Sequence, residues 1–132
     1  MFDYLRSYLS WYFLRKSISR IEVVVLDVDG VLTDGGLLYS PSGDVFKRFN
    51  VKDGLAIKLL QGIGIEVVLL SGGKGGATQA RARDLSIKFC LVGERDKLLA
   101  IKKLSQLLDI SPDKMLFVGD VFQLSPIAKD NP

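Results

Sequence analysis

Short apolar runs alternate with segments of helical periodicity along most of this chain. Four predominantly apolar runs, each followed by an acidic residue, a serine or a glycine, have the length of strands buried on both faces of a sheet. They are residues 23–26, 65–70, 89–92 and 115–118. Three segments with apolar residues at helical spacing lie between them, at about residues 53–60, 77–85 and 96–108. This alternation predicts βαβ units and a doubly wound parallel sheet, which places the chain in the α/β class.

A hairpin is predicted between the first strand and the first helix. Residues 37–39 and 45–49 are rich in β-forming side chains, and they flank a Pro- and Gly-containing segment, residues 40–44. That combination is typical of two antiparallel strands joined by a turn. In the following helix, Asp53 has the side chain of an N-cap and Gly62 is a typical stop signal, so these two residues predict its ends.

Side chains with useful chemistry follow the predicted strands. They are Asp27 and Asp29 after the first strand, Ser71 after the second, Asp120 after the fourth, and Lys97 in the helix that follows the third. Ligands of open α/β sheets bind at the carboxyl ends of the strands, so we expect these side chains to converge there. Two carboxylates spaced i,i+2 repel each other unless a cation or a shared proton relieves them. The sequence therefore predicts a metal site with acid–base chemistry.

Composition limits the chemistry further. The 132 residues fit one domain, and 48% hydrophobic content is enough to build a core. Histidine is absent from the sequence, which excludes histidine-based triads and the usual zinc ligand sets. The single cysteine, Cys90, lies in an apolar run and is interpreted as a core thiol rather than a nucleophile. Since one cysteine cannot form an internal disulfide, we expect a reducing, cytoplasmic compartment.

Two better-known loop motifs do not fit. Asp27-x-Asp29-Gly30 is also how a calcium loop can begin, but Val31 and Leu38 occupy positions where an EF-hand needs further ligands. The glycine-rich stretch at residues 71–76 lacks the spacing of a phosphate-binding P-loop. A flexible loop at residues 72–76 is the better interpretation.

The net charge of +3 arises within residues 1–20, because residues 21–132 carry equal numbers of basic and acidic side chains. A nucleic-acid partner is therefore not expected. Residues 1–20 are rich in aromatic residues and predict an amphipathic helix preceding a domain at residues 21–132. Two hypotheses remain for this helix, packing on the domain or a partner subunit and lying at a membrane surface. Its apolar runs are shorter than the ~18 residues that a membrane span needs.

The ordered set of acids, hydroxyl and lysine resembles the haloacid dehalogenase (HAD) superfamily of phosphotransferases. Within it, the chain is most similar to the small, capless 3-deoxy-D-manno-octulosonate 8-phosphate phosphatases. The resemblance runs from about residue 21 to residue 126, and its most specific stretches are residues 27–35, 49–54 and 93–97. It implies a HAD-like (Rossmannoid) sheet with a β-hairpin flap.

The resemblance also implies a mechanism. Asp27 would be the nucleophile that forms an aspartyl-phosphate, and Asp29 the general acid and base. Magnesium would be bound by the Asp27 carboxylate, the Asp29 backbone carbonyl and Asp120. Lys97 would neutralise charge on the phosphoryl group and on Asp27. The remaining implied phosphate- or substrate-binding residues are Ser71, Gly72, Thr33 and Asn50.

The implied substrate is a small-molecule sugar-acid phosphate, with eight- and nine-carbon acids both open. The implied assembly is a homotetramer in which the hairpin, residues 37–49, packs with its copies. Val121 and Leu124 stand where the family has acids, Gly73 where it has arginine, and relatives continue past Pro132. These departures motivate two alternatives: a catalytically degenerate oligomerisation or binding module, and a HAD module of an acylneuraminate cytidylyltransferase system.

Overall fold

A four-stranded parallel sheet is the centre of the fold. The computed structural model describes residues 15, 16 and 18–119. The strands are β1 (Val23–Asp27), β2 (Leu38–Tyr39), β3 (Val45–Phe46), β4 (Glu66–Leu70), β5 (Phe89–Leu91) and β6 (Met115–Val118). The main sheet has the order β5-β4-β1-β6 with every pair parallel, and β2 and β3 form a separate antiparallel hairpin. The predicted parallel sheet and hairpin are confirmed, although the hairpin strands are shorter than expected.

Helices cover both faces of the main sheet. They are α1 (Val51–Gly62), α2 (Gly76–Asp84) and α3 (Lys97–Leu108). Because side chains alternate along a strand, β1 and β4 supply two separate apolar layers. One layer packs with α1 and α2 through Ile57 and Ala82, and the other packs with α3 through Ala100 and Leu104. This three-layer arrangement confirms the doubly wound prediction.

The predicted start of the first helix was wrong by three residues. The N-cap is Asn50, whose side-chain oxygen accepts a hydrogen bond from the Lys52 amide at 2.8 Å. Asp53 lies instead in the first turn of α1, where a negative charge interacts favourably with the positive end of the helix dipole. Both residues are of N-cap type, so the local sequence signal did not distinguish them.

Some predictions fall outside the part of the chain that the structure describes. Of the helix expected at residues 1–20, only Arg15, Lys16 and Ile18 are described as helical. Asp120 and the residues after it also lie outside the described residues. Among the helices that are described, none has the length and apolar character to cross a membrane.

Candidate active site

Asp27 is the last residue of β1, at the point where the strand order reverses. The chain proceeds from β1 to β4 and β5 on one side, and β6 then returns to the other side of β1. Such a reversal is where open α/β sheets bind their ligands, beyond the carboxyl ends of the strands. Asp27 is only 5% exposed, and its Oδ1 accepts a 2.8 Å hydrogen bond from the Val28 amide. The strand therefore presents one fixed carboxylate at the switch point.

Lys97 forms an ion pair with Asp27. Its Nζ lies 2.7 Å from Asp27 Oδ2, although 70 positions separate the two residues in sequence. Lys97 is the first residue of α3, whose N-cap Asp96 fixes the start of the helix by accepting a hydrogen bond from the Leu99 amide. Both charged side chains are nearly buried, so each depends on the other for electrostatic compensation.

Asp29 and Ser71 lie beside this pair. The Asp29 side chain is 36% exposed, and Ser71, directly after β4, is completely buried. Ser71 Oγ donates to Asp29 Oδ2 over 3.4 Å and accepts from the Gly73 amide at 3.2 Å. Gly72, which lies between Ser71 and Gly73 in the sequence, is exposed. The structure thus brings together four of the predicted side chains, those of Asp27, Asp29, Ser71 and Lys97.

Lys47 is a site residue that the sequence analysis missed. It follows β3, and its Nζ lies 2.9 Å from Asp29 Oδ1. A second bond runs from the same ammonium group to Thr78 Oγ1 of α2 at 3.3 Å. In the structure, burial alternates from Val45 to Phe49 and places Lys47 on the same inward side as these two apolar residues, but the sequence does not specify that this side meets Asp29.

Thr33 and Asn50, both predicted to line the substrate pocket, make local backbone contacts. Thr33 Oγ1 accepts from the amides of Gly30 and Gly35, and Asn50 caps α1. Both line a cavity of about 620 Å³ that does not include Asp29. A different cavity, of about 360 Å³, is lined by Asp29 and Lys47 together with residues of the hairpin and of the loop after β4.

The available donors fit a hard cation. Among the described residues no group of three or more acidic, histidine or cysteine side chains is poised to hold a metal. Asp27 and Asp29 nevertheless supply carboxylate and carbonyl oxygens, the ligands that Mg²⁺ prefers. Gly119, which precedes Asp120, lies against the first of these acids: a Cβ at Gly119 would be 3.2 Å from Asp27 Cβ and would clash with the Phe117 ring. A larger residue at this position would require the Phe117 ring to move.

Cys90 takes no part in this arrangement. It lies in β5, half-buried against the core layer that packs with α1 and α2. Burial raises the pKa of its thiol, and the nearby Arg83 offsets only part of that effect. A raised pKa leaves less of the nucleophilic thiolate at neutral pH, which supports the interpretation of Cys90 as a packing residue.

Known proteins similar to this chain include sugar-acid phosphate phosphatases. The chain is 36% identical over 107 residues to the 3-deoxy-D-manno-octulosonate 8-phosphate phosphatase KdsC of Haemophilus influenzae, covering 81% of this chain and 59% of that protein. It therefore spans a little over half the length of that relative. No family model matches the chain.

Solved structures that share the fold include the following two. The first is the 3-deoxy-D-manno-octulosonate 8-phosphate phosphatase from Moraxella catarrhalis in complex with magnesium, phosphate and KDO, with a TM-score of 0.80 and 30% identity over 85% of this chain and 64% of that one. The second is a HAD superfamily (subfamily III A) hydrolase from Legionella pneumophila, with a TM-score of 0.87 and 30% identity over 93% of this chain and 68% of that one.

Proposed function

Since this chain belongs to the KdsC-like family of the HAD superfamily, we propose that it is a Mg²⁺-dependent phosphatase. Its substrate would be a sugar-acid phosphate of the 3-deoxy-D-manno-octulosonate 8-phosphate type. The observation that carries the proposal is the Lys97–Asp27 ion pair, 2.7 Å long and nearly buried at the strand switch point. A carboxylate held next to a fixed cation is suited to attack a phosphoryl group whose negative charge that cation offsets.

In the proposed reaction, an Asp27 oxygen attacks phosphorus while the bond from phosphorus to the sugar oxygen breaks. Asp29 gives its proton to that departing oxygen, and then takes a proton from the water that hydrolyses the aspartyl-phosphate. Its greater exposure supports this role, because both the alcohol and the water must reach it. Ser71 and Gly72, at the carboxyl end of β4, would hydrogen-bond the phosphoryl oxygens.

We propose that the Asp27 carboxylate, the Asp29 backbone carbonyl and Asp120 hold Mg²⁺. When bound, the ion supplies positive charge against the phosphoryl oxygens. The close approach of Gly119 to Asp27 supports this set, since Asp120 is the next residue along the chain. The magnesium in the Moraxella relative is consistent with a divalent cation here.

The test is release of inorganic phosphate from 3-deoxy-D-manno-octulosonate 8-phosphate and from a nine-carbon sugar-acid phosphate, with Mg²⁺ and with chelator. We expect Mg²⁺-dependent release that Asp27→Asn abolishes and Asp29→Asn lowers by about 10²–10⁴-fold. No release from either substrate, by folded protein saturated with Mg²⁺, would refute the proposal. It would favour the degenerate binding module suggested by Val121 and Leu124.

We further propose that the protein forms a homo-oligomer, a tetramer by resemblance, through the hairpin. Leu38, Tyr39 and Phe46 support this, because each exposes more than half of its surface on two short strands. Apolar side chains exposed together on one element are typical of a protein–protein contact.

A further inference from the structure

Lys47 is unusual among the lysines of this chain because the hairpin carries it inward. Its side chain is only 3% exposed, whereas the side chain of the next residue, Arg48, is 84% exposed. The two also differ in their partners: Lys47 pairs with Asp29, and Arg48 pairs with Asp34 on the surface. A lysine is almost never buried unless its charge is compensated, so the inward orientation of Lys47 depends on the groups it meets.

Those groups come from two other parts of the chain. The ammonium nitrogen lies 2.9 Å from Asp29 Oδ1 and 3.2 Å from Asp29 Oδ2, so it contacts both carboxylate oxygens. The third contact, 3.3 Å, is to the hydroxyl of Thr78, a completely buried residue of α2. Thr78 thereby limits where the ammonium group can sit, and the ammonium group in turn limits where the carboxylate can point.

The Asp29 carboxylate is therefore held from two directions. Ser71 bonds to Oδ2 from the end of β4, and Lys47 contacts both oxygens from the hairpin. The loop after β4 borders both charged groups as well, since a Cβ at Gly73 would be in van der Waals contact with Asp29 Oδ2 at 3.4 Å and with Lys47 Nζ at 3.7 Å. The carboxylate faces the cavity of about 360 Å³ beside the hairpin, whose lining includes Asp29, Lys47 and Lys74.

We propose that Lys47 is the positioning residue for Asp29. It aims the carboxyl group of the proposed acid and base at the cavity where the sugar part of the substrate leaves. This inference rests on the proposed phosphatase function. Because the lysine belongs to the hairpin, correct placement of the hairpin becomes a condition for productive proton transfer. Misplacing such a group by about 1 Å can cost 10²-fold in rate.

The kinetic test compares Lys47→Met with Arg48→Met. Both substitutions remove one cation from the same hairpin, but only the first removes the contact with Asp29. We expect Lys47→Met to lower kcat by about 10–100-fold with KM changed less than about threefold. Arg48→Met should leave kcat unchanged, and Lys47→Arg should recover part of the lost kcat. A raised KM at unchanged kcat would overturn the proposal, because Lys47 would then be a substrate ligand.

A second measurement separates positioning of the acid from general damage to the site. The leaving group of p-nitrophenyl phosphate departs without needing a proton, so formation of the aspartyl-phosphate from it does not require a well-aimed Asp29. In single-turnover experiments, Lys47→Met should therefore slow attack on the sugar phosphate much more than attack on p-nitrophenyl phosphate. Equal slowing of the two would overturn the proposal.

The contact itself is tested without activity. Urea unfolding of Lys47→Met, Asp29→Asn and the double variant should give midpoint shifts that are not additive, since the two side chains interact directly. Additive shifts would overturn the inference. If Lys47→Met folds poorly, Thr78→Val replaces it, since this variant keeps the lysine but removes one of its anchors; it should lower kcat with little change in KM, and an unchanged kcat would overturn the proposal. If wild-type protein released no phosphate, the proposed function would fail, and this cycle would still decide on the contact.

Discussion

Thr33 uses a single hydroxyl oxygen to hold two points of the loop that follows β1. Its Oγ1 accepts from the Gly30 amide at 3.2 Å and from the Gly35 amide at 3.1 Å, and the residue is 8% exposed. Gly30 directly follows Asp29 and has a φ of +85°, in the left-handed region that favours glycine. The hydroxyl thus stabilises the turn that carries the chain away from both site carboxylates.

We expect Thr33→Val to lower the free energy of unfolding by about 1 kcal/mol, because partly buried backbone donors lose their acceptor. Thr33→Ser keeps the oxygen and should cost less. Urea unfolding followed by circular dichroism measures both. If Thr33→Val instead left stability unchanged and raised KM, Thr33 would be a substrate ligand as the family resemblance implies.

The first turn of α3 contains both a residue that stabilises the helix, Asp96, and a residue of the site, Lys97. The Asp96 carboxylate accepts a 2.9 Å hydrogen bond from the Leu99 amide, and Lys97 follows it at the first helical position. The cap fixes where the helix begins, and so fixes the height at which Lys97 projects towards Asp27. A one-residue change in that start would rotate Lys97 by about 100° around the helix axis.

Asp96→Ala should lower the free energy of unfolding by about 1 kcal/mol, the usual cost of losing an N-cap. Phosphatase activity should fall as well, because the turn that carries Lys97 loosens. Asp96→Asn retains an acceptor oxygen and is the matched control, with little expected change in either quantity. Equal losses in the two variants would show that the charge of Asp96, rather than its capping bond, is what matters.

For single helices and strands, prediction from the sequence succeeded where the residues of the element themselves indicate its type and its ends. The strands of the main sheet are predominantly apolar runs, and their predicted ends agree with the structure to within one residue. The proximity of Asp27 and Lys97 could be predicted from the rule that ligands of open α/β sheets bind at the carboxyl ends of the strands. Lys47 could not, because how the hairpin folds over the sheet is a tertiary property that its own few residues do not specify. The start of α1 failed for the opposite reason, since two N-cap residues compete within four positions.

At the scale of the whole molecule, the hairpin connects the site to the surface. One of its sides contacts the site, and the other is exposed. Leu38 and Phe46 are cross-strand neighbours, 70% and 55% exposed. In the proposed oligomer these side chains are buried between copies of the chain. Assembly would then stabilise the element that carries Lys47, which links the oligomeric state to the geometry at Asp29.

We expect sedimentation equilibrium of the wild-type protein to show an oligomer, and Leu38→Glu to shift it towards smaller species. The matched control is Leu107→Glu, since Leu107 on α3 is 69% exposed and lies outside the hairpin. A charge at Leu107 should leave the sedimentation behaviour unchanged. A wild-type monomer at tens of micromolar would contradict the assembly while leaving the phosphatase proposal standing.

Each carboxylate of the site is matched by one ammonium group, Asp27 by Lys97 and Asp29 by Lys47. These four side chains therefore sum to zero charge. A dication arriving alone would change the net charge of the site by +2, and a phosphate dianion arriving alone would change it by −2, whereas the two together leave it unchanged. Metal and phosphate should consequently bind with positive thermodynamic linkage, each raising the affinity of the other by the same factor. Product inhibition would then grow with the supply of the cation.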